Sequence, residues 1–124
     1  MTKQKFVLHE HWATHHHFDF RLQHDGVLKS WAVPKGLPHI IGQKNLAIQV
    51  PDHPAAYAEF KGEIPKGEYG AGRVEIADHG YYTPVVWSPG EIKVILHGKK
   101  YKGKYVLVPF PQSRKKEWLI IKVK

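Results

Sequence analysis

The chain of 124 residues has no cysteine and one methionine. Without thiols there can be no disulfide, no thiolate metal site and no cysteine nucleophile, and the composition suits a reducing compartment. Long apolar runs are also missing. The longest, such as Trp118 to Ile121, fall far short of the ~20 residues a helix needs to cross a bilayer, and Ala47 to Val50 is already interrupted by Gln49. Met1-Thr-Lys-Gln-Lys is charged, but no signal-type apolar segment follows it. A cytoplasmic protein without membrane contact is expected. No basic amphipathic helix is present to lie on an anionic membrane. Acidic residues are scarce: 11 Asp and Glu stand against 19 Lys and Arg, a net charge of +8 and a pI near 9.7. That excess attracts polyanions, nucleic acid foremost, although a basic surface kept for solubility has the same composition. No segment sustains a 3.6-residue period, and no internal repeat or linker is visible.

What is present is β signal. Hydrophobic residues make up 42% of the chain and aromatics 12%, enough for one core. Strands are expected at Lys5 to Leu8, His17 to Gln23, Val27 to Val33, Asn45 to Val50, Arg73 to Ala77, Tyr81 to Val86, Ile92 to His97, Tyr105 to Pro109 and Glu117 to Val123. Asp25-Gly26 reads as a hairpin turn. Asp78-His-Gly and His97-Gly are further turn candidates. Pro54 to Tyr57 reads as one helical turn. Ile64 to Gly72 is a glycine-rich loop. Its Gly67, Gly70 and Gly72 match neither the P-loop nor the dinucleotide fingerprint, so a structural role is expected. The basic stretches 99–104 and 114–116 flank strands as solvated edges. Many short strands at regular spacing predict an all-β, mainly antiparallel fold: a compact β-barrel with short helical turns, one domain over 1–124.

Six of the ten histidines fall between His9 and Gly26. In a strand, residues two apart share a face. His17, Asp19 and Arg21 therefore share one face, and Phe18, Phe20 and Leu22 the other. The aromatic face seeks the core. The polar face sets an imidazole, a carboxylate and a guanidinium side by side, costly to desolvate unless they engage a ligand. His-x-Asp offers N and O donors suited to Mn, Zn or Fe, and an arginine beside a metal suits an anionic oxygen. His11, six residues upstream across an expected bend at Ala13-Thr14, can return to complete a two-histidine, one-carboxylate site. The alternative is a set of surface histidines on an edge strand. His15 and His16 are read as supporting or structural residues, since His16 points with Phe18 by parity. His24 is read as a turn residue. Trp31 belongs to the core. Trp87 either stacks on a base or packs a loop.

The pattern resembles the signature of the 3′-phosphoesterase domain of the bacterial and archaeal DNA ligase D repair system. The matching blocks are His11 with His17-Phe-Asp-Phe-Arg-Leu, Asp25-Gly-Val-Leu-Lys-Ser-Trp-Ala-Val-Pro-Lys-Gly, Asp52-His-Pro with Tyr57, and Ile64-Pro-Lys-Gly-Glu-Tyr-Gly-Ala-Gly. They follow the family's order over nearly the whole chain. The resemblance implies a β-barrel and a divalent metal, Mn favoured, with Zn or Co as alternatives. It implies removal of terminal ribonucleosides and phosphates from the 3′ ends of DNA or RNA-DNA primer-templates, leaving a 3′-OH for a ligase or polymerase. It makes His11, His17 and Asp19 the metal ligands. Arg21 and His53 would contact the phosphate, Tyr57 would support that site, and Lys35 would add positive charge. The family often has Gln where His9 stands, close to the metal, and Arg where Asn45 stands, a contact Lys44 could supply instead. It often has an acidic residue at Pro51. Its N-terminal extension has no counterpart ahead of the first strand. With no ligase or polymerase domain in the sequence, a stand-alone module working with a separate ligase and polymerase is expected. These departures bear on the balance between the two activities.

Two other functions share some of these features. Two histidines and a carboxylate also describe the facial triad of a non-haem iron oxygenase. A basic barrel without turnover would be a non-catalytic nucleic-acid-binding module.

Overall fold

The computed structural model describes residues 3–110 and 116–124. Arg114 and Lys115 of the second basic stretch lie outside them. Among the described residues nine strands form one sheet: β1 (Gln4–Trp12), β2 (His16–His24), β3 (Val27–Val33), β4 (Lys44–Pro54), β5 (Gly62–Ile64), β6 (Gly72–Ser88), β7 (Glu91–Gly98), β8 (Lys102–Pro109) and β9 (Glu117–Val123). Every pairing is antiparallel. The order β1-β2-β3-β4-β9-β8-β7-β6 closes on itself because β1 also pairs with β6. The result is the expected barrel, eight strands around, with the edges of the ring sealed. The short β5 adds to the start of β6. No helix among the described residues is long and apolar enough to cross a membrane.

Alternation decides which side chains fill the barrel. Phe6 and Leu8 of β1, Phe20 and Leu22 of β2, Trp31 and Val33 of β3 and Tyr105 and Leu107 of β8 pack into one interior cluster. The opposite parity points outward. It is covered on one side by the 3₁₀ turn Ala55–Glu59 and the segment through β5 that follows. There Val7, Leu28 and Ala58 form a second, smaller cluster, with Tyr57 and Ile76 against it. The expected helical turn is thus present one residue downstream, and it clamps the outer wall of the barrel.

Several expected boundaries move. β1 runs on to Trp12 because β6 pairs with it along its whole length and β2 from Phe6 to Trp12. β4 runs through Pro51 to Pro54 because a bulge places Pro51 and Asp52 opposite Lys29 alone, and a bulge tolerates the missing proline N–H. The turn expected at Asp78-His-Gly is not one: β6 is continuous from Gly72 to Ser88. In its pairing with β1, Leu8 faces Asp78 and His9 faces Ile76, so Ala77 is bulged out. Asp78 does turn chemistry elsewhere. Its buried carboxylate accepts the backbone N–H groups of Lys99, Lys100 and Tyr101 at 3.0, 3.2 and 2.9 Å, holding the β7–β8 loop. His97-Gly98 is the end of β7 leading into that loop. Trp31 is fully buried, as expected. Trp87 packs against the core and stacks on His24, the last residue of β2, with ring centroids 3.8 Å apart.

Candidate metal and phosphate site

The Asp25-Gly26 turn sets the site's register. Both residues have positive φ, 51° and 82°, as a two-residue hairpin turn requires. Arg21 is thereby placed opposite Ser30, and Asp19 opposite Ala32. On the other side of β2, His17 pairs with His11 and Asp19 with His9. One patch of the outer wall therefore carries His9, His11, His17, Asp19, Arg21 and Ser30. The bulge in β4 adds His53. Val50 faces the cavity, and strict alternation would next bring Asp52 there; the extra residue delays it, and His53 faces the cavity instead. The covering segment closes a cavity of about 560 Å³ over this patch, lined also by Tyr57, Phe60, Glu63, Glu68, Tyr69 and Gly70.

Hydrogen bonds fix what the two imidazoles near Asp19 can do. His11 donates from Nε2 to the Gly70 carbonyl at 2.7 Å. His17 donates from Nδ1 to the His15 carbonyl at 2.9 Å. A neutral imidazole has a single N–H, so both are spent. The remaining nitrogens, His11 Nδ1 and His17 Nε2, face the Asp19 carboxylate at 3.2 and 3.1 Å. A lone pair against a carboxylate oxygen is repulsive unless a proton or a cation lies between them. One ligand atom from each of the three residues falls within 4.8 Å of the others. A backbone carbonyl behind each imidazole is the device that sets the tautomer of metal-binding histidines. The donor set thus fits a divalent cation of the borderline class. With protons in place of a cation, the hydrogen bond to Asp19 raises the His17 pKa against the opposing effect of burial. Burial pushes the Asp19 carboxyl up, but the bonds from His11 and His17 and the charge of Arg21 outweigh it and hold it well below the usual carboxylate range.

Arg21 is almost wholly buried. Its Nε donates to His9 Nδ1 at 3.1 Å, and Nη1 donates to Ser30 Oγ at 2.9 Å. Nη2 lies 3.4 Å from Asp19 Oδ2. The guanidinium stands 4.9 Å from the centre of the Tyr57 ring, which is itself stacked on Phe60. His53 Nδ1 sits between Arg21 Nη1, 3.1 Å away, and the Pro51 carbonyl, 3.0 Å away. It can accept from the first or donate to the second, not both at once. Burial and the Arg21 charge lower the His53 pKa, which favours the neutral ring accepting from Arg21. Burial, then the Arg21 charge, lower the His9 pKa to about 4. His9 is therefore a neutral bridge, accepting from Arg21 and donating from Nε2 to the Phe60 carbonyl at 2.9 Å.

The structure gathers His11, His17, Asp19, Arg21, His53 and Tyr57 around one cavity, with His9 behind Arg21. It does not bring Lys35 there. That residue is exposed on the β3–β4 loop and is not among the cavity's lining residues. Asn45 and Lys44 do not line it either. The Asn45 amide donates to the Gly36 carbonyl at 2.7 Å. His15 contributes its carbonyl to His17, and His16 pairs with Glu10 at 2.8 Å beside the Phe18 ring. Sequence reasoning missed Ser30, Phe60, Glu63, Glu68, Tyr69 and Gly70. Ser30 had a readable signal: the hairpin turn fixes it opposite Arg21.

Fold and site define a closed antiparallel β-barrel bearing a two-histidine, one-carboxylate cluster beside a buried guanidinium on its outer wall. The family described as the DNA Ligase D 3′-phosphoesterase domain matches residues 9–109, and the chain belongs to that family. It is 45% identical to the multifunctional non-homologous end joining protein LigD of Mycolicibacterium smegmatis, over 97% of this chain and 17% of that protein. It is 47% identical to the multifunctional non-homologous end joining DNA repair protein LigD of Mycobacterium tuberculosis, over 96% of this chain and 16% of that protein. For the LigD protein of Pseudomonas aeruginosa the figures are 40%, 97% and 15%. The chain thus spans about a sixth of the length of these relatives.

Proposed function

We propose that this chain is a divalent-metal-dependent phosphoesterase that heals DNA 3′ ends in end-joining repair. It removes terminal ribonucleosides by diester cleavage and 3′-phosphates by monoester cleavage. The observation that carries the metal dependence is the pair of imidazoles whose N–H groups are spent on the Gly70 and His15 carbonyls while their lone pairs converge on Asp19. Family membership and the names of the relatives support the substrate class. The net charge of +8 supports attraction to a nucleic-acid backbone.

His11 Nδ1, His17 Nε2 and Asp19 would hold the cation, Mn favoured, whose chemistry is to neutralise phosphate charge and acidify a bound water. The rest falls to the chain's own groups. The Arg21 guanidinium has five N–H donors. Four point at His9, Ser30, His53 and Asp19, which leaves one on Nη2 for a phosphate oxygen. An arriving anionic phosphate favours protonation of His53. The protonated ring then donates from Nδ1 to Pro51 and releases an Nη1 donor of Arg21 for a second phosphate oxygen. Its Nε2 proton is then available to the leaving oxygen. Tyr57, backed by Phe60, covers the guanidinium and shields it from water. Lys35, exposed on its loop, is left to long-range attraction of the duplex.

The test is product analysis on labelled primer-templates ending in a 3′-phosphate, a 3′-ribonucleotide or a 3′-deoxynucleotide, with an internal ribonucleotide as control, with and without Mn. Metal-dependent phosphate release and loss of one terminal ribonucleoside are expected. Equal cleavage at internal positions would show a general nuclease instead. Salt-sensitive binding without turnover would show a binding module, and oxygen consumption with a keto acid would show an oxygenase.

A further inference from the structure

The cavity is chemically polarised. One end holds the Arg21 guanidinium, His53 and the His11–His17–Asp19 cluster. The lip is the loop from Pro65 to Gly70, which brings Glu68 and Tyr69 to the cavity, with Glu63 of β5 beside them. A phosphate is drawn to the Arg21 guanidinium and away from the two carboxylates of the lip that line the cavity; Lys66 of the same loop is exposed and does not line it. The part of a nucleotide that faces the lip is therefore its uncharged part, the sugar and base.

Tyr69 is the exposed aromatic at that lip. It lines the cavity, yet its residue surface is 77% accessible. Leaving an aromatic ring so open contributes little to the fold, while a ring beside a nucleotide site offers a stacking face to any base. The loop that presents it is held. Glu68 N donates to the Pro65 carbonyl at 3.3 Å and Ala71 N to the Glu68 carbonyl at 3.1 Å. The Gly70 carbonyl takes the His11 Nε2 proton at 2.7 Å. Gly70 has φ +77°, and a Cβ built there would meet the His11 ring at 3.6 Å. The loop is thus fastened to a residue of the metal cluster immediately after Tyr69.

We propose that Tyr69 is the nucleoside-contacting residue of the site, stacking on the base of the nucleotide that bears the scissile phosphate, with the His11–Gly70 hydrogen bond setting its position. This rests on the phosphoesterase reading and adds to it the element that senses a base without reading its identity.

The test compares two duplex probes ending in a 3′-phosphate. One carries a base on its last nucleotide and the other is abasic there. Binding is read by fluorescence anisotropy without added metal, so no turnover intervenes. Tyr69→Ala is expected to weaken the base-bearing probe about tenfold and to leave the abasic probe within about twofold of wild type. Tyr69→Phe, which keeps the ring, is expected to match wild type on both. Mn binding by calorimetry and the thermal midpoint should not move in either variant. Equal weakening of both probes by Tyr69→Ala, no weakening of either, or a Tyr69→Phe as weak as Tyr69→Ala overturns the assignment. Failure of the wild-type protein to release phosphate from either probe with Mn would instead overturn the phosphoesterase reading.

Discussion

His9 offers a direct measurement of how the arginine is held. It is fully buried, accepts from Arg21 Nε and donates to the Phe60 carbonyl. Burial and the adjacent guanidinium lower its pKa from 6.5 to about 4. The sign follows directly. Between pH 6.5 and 4 the unfolded chain binds a proton at His9 that the folded chain refuses, so stability falls as pH drops through that window. From pH 7 to pH 5 this one group costs about 2 kcal/mol. His53, also lowered, pushes the same way. His17, raised, pushes the opposite way. The contribution from Asp19 is lost only at more acidic pH, since its carboxyl is held low. Substitution isolates His9 from these. In His9→Gln, the residue the family often has, the amide oxygen can accept from Arg21 and the amide nitrogen can donate to Phe60, and nothing titrates. Urea unfolding at pH 7 and pH 5 in the presence of a chelator gives the comparison. The wild type should lose about 2 kcal/mol more than His9→Gln across that interval. Equal losses would refute the neutral-bridge account of His9.

Three other changes probe separate parts of the molecule. Alanine at His11, His17 or Asp19 should abolish both Mn binding by calorimetry and phosphate release, with the barrel still folded by circular dichroism, whereas His15→Ala, which keeps the backbone carbonyl that His17 uses, should be mild. Arg21→Lys keeps the charge but cannot reach His9, Ser30 and a phosphate together; a loss of about a hundredfold in turnover is expected, and an unchanged rate would remove Arg21 from the chemistry. Gly98→Ala would set a Cβ 2.3 Å from Asp78 Oδ2 and 2.7 Å from Phe6 Cζ; an unfolding free energy lower by about 3 kcal/mol is expected in a denaturant titration, and a neutral result would mean that the Asp78 cap is less rigid than its three backbone contacts imply.

Much of the site was legible because it lies on β-structure with a strict period. His17, Asp19 and Arg21 alternate with Phe18, Phe20 and Leu22, and the structure sends the two sets to opposite sides of the wall. The Asp25-Gly26 turn fixed which residue faces which. What could not be read depends on contacts far apart in sequence. Nothing local says that β1 continues to Trp12 in the sheet, since the partner that covers its other edge, β6, pairs Trp12 with Arg73 from far along the chain. Asp78-His-Gly carries turn residues, but its carboxylate serves a loop twenty-odd residues away. The glycine-rich segment looked structural because a carbonyl acceptor such as Gly70 has no side-chain signature.

The bulges in β4 and at Ala77 of β6 show how a regular barrel is made to hold an irregular site. A strict strand at β4 would place Asp52 in the cavity, beside the Asp19 carboxylate and in the path of an incoming phosphate. The bulge at Pro51 and Asp52 turns Asp52 away, where it pairs with Lys29 at 2.9 Å, and brings His53 to Arg21. One inserted residue thus exchanges a repulsive carboxylate for an imidazole that can take or give a proton. On β6, the bulge at Ala77 falls where β1 passes from Leu8 to His9, just before the outward-facing run His9 and His11. Both irregularities sit on strands one removed from β2, β4 beyond β3 and β6 beyond β1, and β2 itself is not interrupted. The residues whose mutual geometry is most demanding, His17, Asp19 and Arg21, therefore stay on an unbroken strand, and the adjustments that complete the site are made on the strands beyond its two neighbours.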